Sequence, residues 1–134
     1  MTWPPPDVPL ADEMTQAWWD ATRQHRLTVQ ACACGHRQHP PRAVCTRCGE
    51  TEHLTQVDAS GRGTVDSFTV VHRAPRADIA TTYVVARVRL PEGPILLSRL
   101  PAEPAIGEAV AVGWVDLPDG RALPVFHPIE EETR

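Results

Sequence analysis

The segment CACGHRQHPPRAVCTRCGE, residues 32–50, decides how this chain is read. It holds all four cysteines of the 134 residues, spaced Cys32-x-Cys34-x10-Cys45-x2-Cys48. Zinc takes four soft ligands in a tetrahedron, with sulfur about 2.3 Å from the metal. Two tight turns that each present a pair of thiols supply that geometry. Gly35 and Gly49 follow the second cysteine of each pair, where such a turn calls for a positive φ. The pair of pairs reads as a zinc ribbon. The first pair has a spacer of one residue instead of two, which leaves alternatives open. Zinc can sit on Cys32, Cys34, Cys45 and Cys48, or His36 or His39 can replace one cysteine, or the four thiols can stand reduced without metal. Redox chemistry of the thioredoxin kind needs a βαβ setting that the flanking sequence lacks. A zinc held by four cysteines has no open coordination position, so its role is structural.

Upstream, Leu27–Ala31 is a short β-like run, and Leu10 to about Arg26 reads as a helix. Leu10, Met14, Ala17, Trp18 and Ala21 recur on one helical face. Asp12 and Glu13 sit in its first turn and Arg23, His25 and Arg26 in its last, as the helix dipole favours. Trp19 lies about 100° round from Trp18. Either the helix is buried on two sides or one indole faces a partner. Residues 1–9, MTWPPPDVP, form a proline-rich arm carrying Trp3.

Downstream, five period-2 runs follow: Thr64–His72, Tyr83–Leu90, Ile95–Leu100, Ala109–Leu117 and Ala122–His127. Pro91-Glu92-Gly93-Pro94, Pro101 to Gly107, and Pro118-Asp119-Gly120 punctuate them as hairpin turns require. Five short strands of this kind predict a small closed barrel, for which the five-stranded OB fold is the economical choice. The fold class expected is mainly β, with an N-terminal helix at 10–26, a zinc ribbon at 27–54 and an OB barrel at 55–130.

The composition excludes several function classes. All 13 basic residues are Arg, and against 17 acids they leave a formal net charge of −4, a poor match to generic nucleic-acid binding. No apolar run approaches the roughly 18 residues of a membrane span. No basic stretch followed by an apolar one opens the chain, so the compartment expected is the reducing cytoplasm, where clustered cysteines serve metals rather than disulfides.

Taken in order, the residues carry a resemblance. The series runs from the Trp pair through Leu27, Gln30 and the CG-x4-PPR-x2-C-x2-CG stretch of Cys34 to Gly49. Ser60-Gly61-Arg62-Gly63-Thr64-Val65, Thr69-Val70-Val71-His72, the Pro91–Pro94 turn, Ile106-Gly107, Val110 and Leu123-Pro124-Val125-Phe126 continue it. Over about residues 10–128 the chain resembles the acyl-CoA-associated family built from a rubredoxin-like zinc ribbon and an OB fold. It departs from the family at the first cysteine pair, with Ala31 where the usual first cysteine stands. The resemblance implies a non-catalytic partner of a thiolase-like, lipid-transfer-protein-type aldolase. Such an enzyme cleaves a β-hydroxyacyl-CoA by retro-aldol chemistry in steroid side-chain degradation. The implied assembly is a two-plus-two hetero-oligomer that handles acyl-CoA through the complex. Family members are also fused to MaoC-type hydratases, so the alternative is that the chain is the C-terminal part of a longer hydratase fusion.

No Ser-His-Asp, HExxH, P-loop or GxGxxG pattern occurs, and His25, His53, His72 and His127 sit singly near element ends, so no catalytic residue is expected. For CoA phosphates the expected contacts are Arg73 and Arg76, because guanidinium forks bind phosphate bidentately. The alternative is that these arginines are solvated and balance the acids. Trp3 and Trp19 are the expected partner-interface anchors. Two other classes compete. A strand-binding nucleic-acid module would use Phe68, Tyr83, Trp114 and Phe126 for stacking. A free-standing acyl-CoA binding protein would need a large apolar cavity.

Overall fold

The computed structural model describes residues 8–73, 77 and 82–129. Its elements in chain order are α1 (Gln16–Thr22), β1 (Thr28–Ala31), β2 (Arg37–Gln38), β3 (Thr55–Asp58), β4 (Arg62–Val71), β5 (Tyr83–Arg89), β6 (Ile95–Leu100), β7 (Ala109–Asp116) and β8 (Ala122–Pro128). The strands make two antiparallel sheets, a three-stranded one ordered β2-β1-β3 and a five-stranded one ordered β6-β5-β4-β7-β8. Each of the five period-2 runs becomes a strand of the larger sheet. On β5, Val84, Ala86 and Val88 are buried while Arg87 and Arg89 are exposed. The inward positions of all five strands meet in one core, where Val65, Val88, Leu90, Leu96, Val110 and Phe126 are fully buried.

β4 is long enough to serve two neighbours because it is bulged. Arg62–Thr64 pair with β7, Thr64–Val71 pair with β5, and the register shifts between Val65 and Ser67. Gly63 makes the crossing possible: a Cβ there would lie 2.5 Å from Val88 Cγ1 and 2.9 Å from the Arg89 carbonyl. The curl brings the edge strands β6 and β8 together, and Ser98 Oγ donates to the Pro124 carbonyl at 2.9 Å across the seam. The result is the OB-like arrangement expected, mainly β with one short helix and a ribbon.

The helix differs from expectation at both ends. The helix covers only Gln16–Thr22. Before it, the Asp12 carboxylate accepts from Thr15 N–H at 2.9 Å and Thr15 O–H at 3.1 Å, and Gln16 N–H closes onto the Asp12 carbonyl at 2.9 Å, so Asp12 caps the turn that leads into the helix and the residues before it stay outside. After it, His25 takes φ 54, which a continuing helix cannot. Leu10 is accordingly 96% exposed and off the buried face. Thr55–Asp58 pair with β1, Thr28 opposite Asp58 and Ala31 opposite Thr55, so the ribbon sheet runs on to residue 58.

Arg23, His25 and Arg26 lie beyond the last helical turn and reach other elements. Arg23 Nη1 donates to the Asp119 carbonyl at 2.7 Å, and Arg26 Nη2 meets Asp58 at 2.6 Å. His25 Nε2 meets Asp116 at 2.7 Å while its ring stacks on Trp114, centroids 5.3 Å apart. These exposed pairs orient the helix more than they stabilise it. The buried joint is Thr22, whose hydroxyl donates to the Trp19 carbonyl at 2.6 Å and accepts the Ala122 N–H at 3.1 Å.

Candidate metal centre and the surfaces around it

β1 and the turns that follow it carry the four cysteines to one point. Their Sγ atoms all lie within 4.8 Å of one another. Cys32 and Cys48 approach to 3.6 Å, Cys34 and Cys45 to 3.8 Å. A tetrahedron with metal–sulfur arms of about 2.3 Å has edges of about 3.8 Å, so the four thiols fit a zinc ion. All four are free cysteines, two buried (Cys32, Cys45) and two exposed (Cys34, Cys48).

The short first spacer is absorbed by a tighter turn. In the second knuckle Gly49 N–H closes onto the Cys45 carbonyl at 2.9 Å, four residues back, and Cys45 N–H donates to Glu50 at 2.8 Å. In the first, Gly35 N–H closes onto the Cys32 carbonyl at 2.9 Å, three residues back, and Cys32 N–H donates to His36 at 3.0 Å. Both bonds span one residue fewer. Gly35 and Gly49 close their turns at φ 95 and 82. The histidine alternatives fall away. His36 Nε2 is taken up with Thr46 Oγ1 at 3.0 Å, and the His39 ring packs against Trp18 with centroids 5.5 Å apart. Among the described residues the metal-binding cluster is the four cysteines.

Four sulfurs this close cannot all ionise independently. Backbone N–H groups of Cys48 and Arg47 pull the Cys45 thiol down to about 6. Although the Glu50 N–H pulls Cys48 down, its contacts with Cys32, Cys34 and Cys45 push it up to about 12. A divalent cation held by Cys32, Cys34, Cys45 and Cys48 would relieve this repulsion and keep all four as thiolates. The chemistry it supplies there is structural cross-linking.

Under the knuckles lies a polar network that sequence reading missed. Gln30 on β1 and Gln38 on β2 stand opposite each other, both buried. Gln38 Nε2 donates to Gln30 Oε1 at 2.6 Å and to the Val44 carbonyl at 3.0 Å, and Gln38 Oε1 accepts from Thr46 N–H at 2.9 Å. Gln30 meets Arg42 twice, through its carbonyl and its N–H, each at 2.9 Å. Two side chains thus satisfy the backbone of the loop between the cysteine pairs. The signal available was glutamine at inward positions of two short strands.

The other predicted residues scatter. Trp19, expected at a partner interface, is 8% exposed and belongs to the core of this chain, as does Trp18 at 8%. The helix is buried on both sides: Trp18 Nε1 donates to the Thr28 carbonyl at 3.1 Å, and Trp19 lies under the Arg121 guanidinium at 4.6 Å. Arg121, itself buried, also donates to Asp119 and to the Pro9 carbonyl, each at 2.6 Å. Trp3 and Arg76 lie outside the described residues. Arg73 is exposed just past β4. Of the aromatics weighed for stacking, Phe126 is fully buried and Tyr83 lies under Arg99 at 4.5 Å. No helix among the described residues is long and apolar enough to cross a membrane.

A groove of about 300 Å³ opens where helix, ribbon and barrel meet, lined by Pro9, Trp18, Trp19, His39, Pro40 and Leu97 among others. His39 Nδ1 is buried there with no hydrogen-bond partner, and burial lowers the ring to about 4.

Comparison with known proteins recovers a zinc ribbon and an OB fold, with the boundary between residues 53 and 56. Residues 19–53 match the ChsH2 rubredoxin-like zinc ribbon domain, and residues 56–124 match the ChsH2 C-terminal OB-fold domain. A probable enoyl-CoA hydratase alpha subunit of Thermomonospora curvata is 39% identical over 116 residues, 83% of this chain and 36% of the relative. The 3-oxo-4,17-pregnadiene-20-carboxyl-CoA hydratase alpha subunit of Mycobacterium tuberculosis is 38% identical over 116 residues, 83% of this chain and 37% of the relative. The chain therefore spans little more than a third of the curated relatives it matches. Among solved structures, a chain of the Ltp2-ChsH2(DUF35) aldolase superposes with a TM-score of 0.80 at 36% identity, covering 90% of this chain and 98% of that one. A Sulfolobus solfataricus protein of the DUF35 family superposes with a TM-score of 0.65 at 17% identity over 89% of this chain and 85% of its own, a likeness of fold.

Proposed function

Because the chain belongs to the ChsH2 family of a rubredoxin-like zinc ribbon joined to an OB-fold domain, we propose that it is the non-catalytic accessory subunit of a thiolase-like acyl-CoA aldolase. The observation that carries this reading is the likeness, over 90% of this chain, to a chain of the Ltp2-ChsH2(DUF35) aldolase. The reaction is retro-aldol cleavage of a β-hydroxyacyl-CoA, in steroid side-chain degradation. A base takes the β-hydroxyl proton, the Cα–Cβ bond breaks as the β-carbon becomes a carbonyl, and the α-carbon of the released acyl-CoA takes up a proton. The partner supplies those acid–base groups. This chain supplies a rigid surface, with the zinc ribbon cross-linked by Cys32, Cys34, Cys45 and Cys48, that holds the partner in its active shape. Arg73 and Arg76 wall the CoA entrance, Trp3 extends the interface, and the assembly follows the thiolase-like dimer as two plus two. Four reduced thiols as zinc ligands suit the cytoplasm.

A second reading has its own support. The likeness to hydratase alpha subunits favours a module that works inside a hydratase assembly, as part of a longer chain or beside one. One experiment separates the two. The chain is coexpressed with a lipid-transfer-protein-type thiolase-like protein of the same organism, and in parallel with a MaoC-type hydratase. The mass of each complex, its zinc content and its retro-aldol activity are then measured. An aldolase complex of two plus two that loses activity without this chain is the result expected. A thiolase-like protein that is fully active alone and does not bind the chain overturns the proposal.

A further inference from the structure

The sulfur contacts of 3.6 Å and 3.8 Å both run between the two knuckles: Cys32 meets Cys48, and Cys34 meets Cys45. Each contact also joins an exposed cysteine to a buried one, Cys48 to Cys32 and Cys34 to Cys45. Bonds that do not pass through a metal hold these pairs face to face. The first knuckle grows from the β1–β2 hairpin, where Gln30 pairs with Gln38 and Ala31 with Arg37, and Cys32 N–H closes it on the His36 carbonyl at 3.0 Å. The second knuckle is fastened to the same hairpin by one buried side chain. Gln38 donates to the Val44 carbonyl at 3.0 Å and accepts the Thr46 N–H at 2.9 Å, so Cys45 is gripped on both flanks. The facing sulfurs therefore keep their places when an ion leaves. A bond inside the first pair would have to span a single residue, against the turn that Gly35 N–H closes on the Cys32 carbonyl at 2.9 Å. Thiolate, not thiol, is the form of sulfur that attacks an oxidant or a disulfide, and coordination to a cation keeps sulfur in that form at neutral pH.

We propose that the cysteine centre is a site of oxidative modification, at which hydrogen peroxide reacts with exposed Cys34 or Cys48 and the facing buried cysteine, Cys45 or Cys32, closes a disulfide across the knuckles. The exposed thiolate attacks one peroxide oxygen. An S–O bond forms as the O–O bond breaks, and the hydroxide that leaves is protonated to water. The facing thiolate then attacks the sulfenic sulfur. An S–S bond of about 2.05 Å forms as the S–O bond breaks, and the second hydroxide also leaves as water. Two thiolates, one peroxide and two protons give one disulfide and two waters; the sulfurs lose the two electrons that the peroxide gains. The centre is left with two thiolates, too few to close a tetrahedron, and the staple of the ribbon passes from the ion to the S–S bond. The inference concerns the chain by itself and does not depend on its being an accessory subunit.

The test treats the zinc-loaded chain with hydrogen peroxide, follows zinc release with a chromogenic chelator, and maps disulfides by mass spectrometry after free thiols are blocked. Cleavage after Arg37, Arg42 and Arg47 puts the first cysteine pair, Cys45 and Cys48 on three separate peptides, so each linkage is read directly, and fragmentation tells Cys32 from Cys34. Zinc release is expected to keep pace with the first disulfide. That disulfide should be Cys34–Cys45 or Cys32–Cys48, in at least tenfold excess over Cys32–Cys34 and Cys45–Cys48 together. Dithiothreitol followed by zinc should restore four thiols and the bound metal. Three results overturn the proposal: zinc retained under a large excess of peroxide, disulfides formed within the pairs, and release accompanied by sulfinic acid without any disulfide.

Discussion

Gln30 and Gln38 face each other across β1 and β2 with Gln38 Nε2 2.6 Å from Gln30 Oε1, and between them they tie down the loop that separates the two cysteine pairs. Replacing Gln38 by alanine strips Val44 C=O and Thr46 N–H of their partners beside Cys45. A buried polar group left unsatisfied costs about 1–3 kcal/mol. Denaturation at saturating zinc should therefore show Gln38→Ala less stable by about 2 kcal/mol or more. Gln30→Ala with Gln38→Ala should cost less than the two separately, because they share a bond.

X-ray absorption on the purified chain should find one zinc with four sulfur neighbours at about 2.3 Å. His36→Ala should leave that first coordination sphere unchanged, since His36 is bonded to Thr46. Cys34→Ser should replace one sulfur or empty the site. On chelation, amides of β1 and β2 should lose protection while those of β5, which pairs on both sides within the barrel, keep theirs.

Arg121 holds the arm, the helix and the β7–β8 turn together through Pro9, Trp19 and Asp119. Its planar fork makes these contacts at once, which an ammonium cannot. Arg121→Lys should cost about 1–2 kcal/mol and Arg121→Ala about 3 kcal/mol, read as shifts of the urea midpoint.

His39 is held neutral by burial, lowered to about 4 from an ordinary value of 6.5. Its folded value lies below its unfolded value, so the unfolded chain binds more protons between those pH values. Stability is then full above about pH 6.5 and is lost as pH falls toward 4, on the order of 3 kcal/mol in all. Thermal melts of wild type and His39→Asn from pH 7 to pH 4.5, zinc in excess, should show the wild type losing more.

In the reconstituted aldolase, Arg73→Ala with Arg76→Ala should raise KM for acyl-CoA about tenfold, the loss of about one charge-assisted hydrogen bond, with kcat within twofold. An unchanged KM with CoA-bearing substrate places these arginines in solvent.

Much of the fold was legible because its signals are local. The strands β5 and β6 follow from alternation bounded by Pro-Glu-Gly-Pro, and the cysteine pairs announce their turns through Gly35 and Gly49. Periodicity overextends the helix because it does not register that Asp12 caps it through Thr15 N–H, or that His25 turns left-handed. β3 carries no local signal of its partner, because four residues of mixed character say nothing about which strand they pair with. The partner is Val29, 28 residues away from Val57 in the chain.

The sequence by itself determined that this is a metal-stapled, mainly β chain, since four cysteines in two pairs and five alternating runs allow little else. Tertiary structure decided what those residues do at a distance. It placed Trp19 under Arg121 in the core, gave the loop between the cysteine pairs to Gln30 and Gln38, and tied β6 to β8 through Ser98 and Pro124. Spacing along the chain fixes which groups a turn can bring together. Which groups are buried, paired or left unpaired depends on how separate elements pack, and one sequence window carries no record of that.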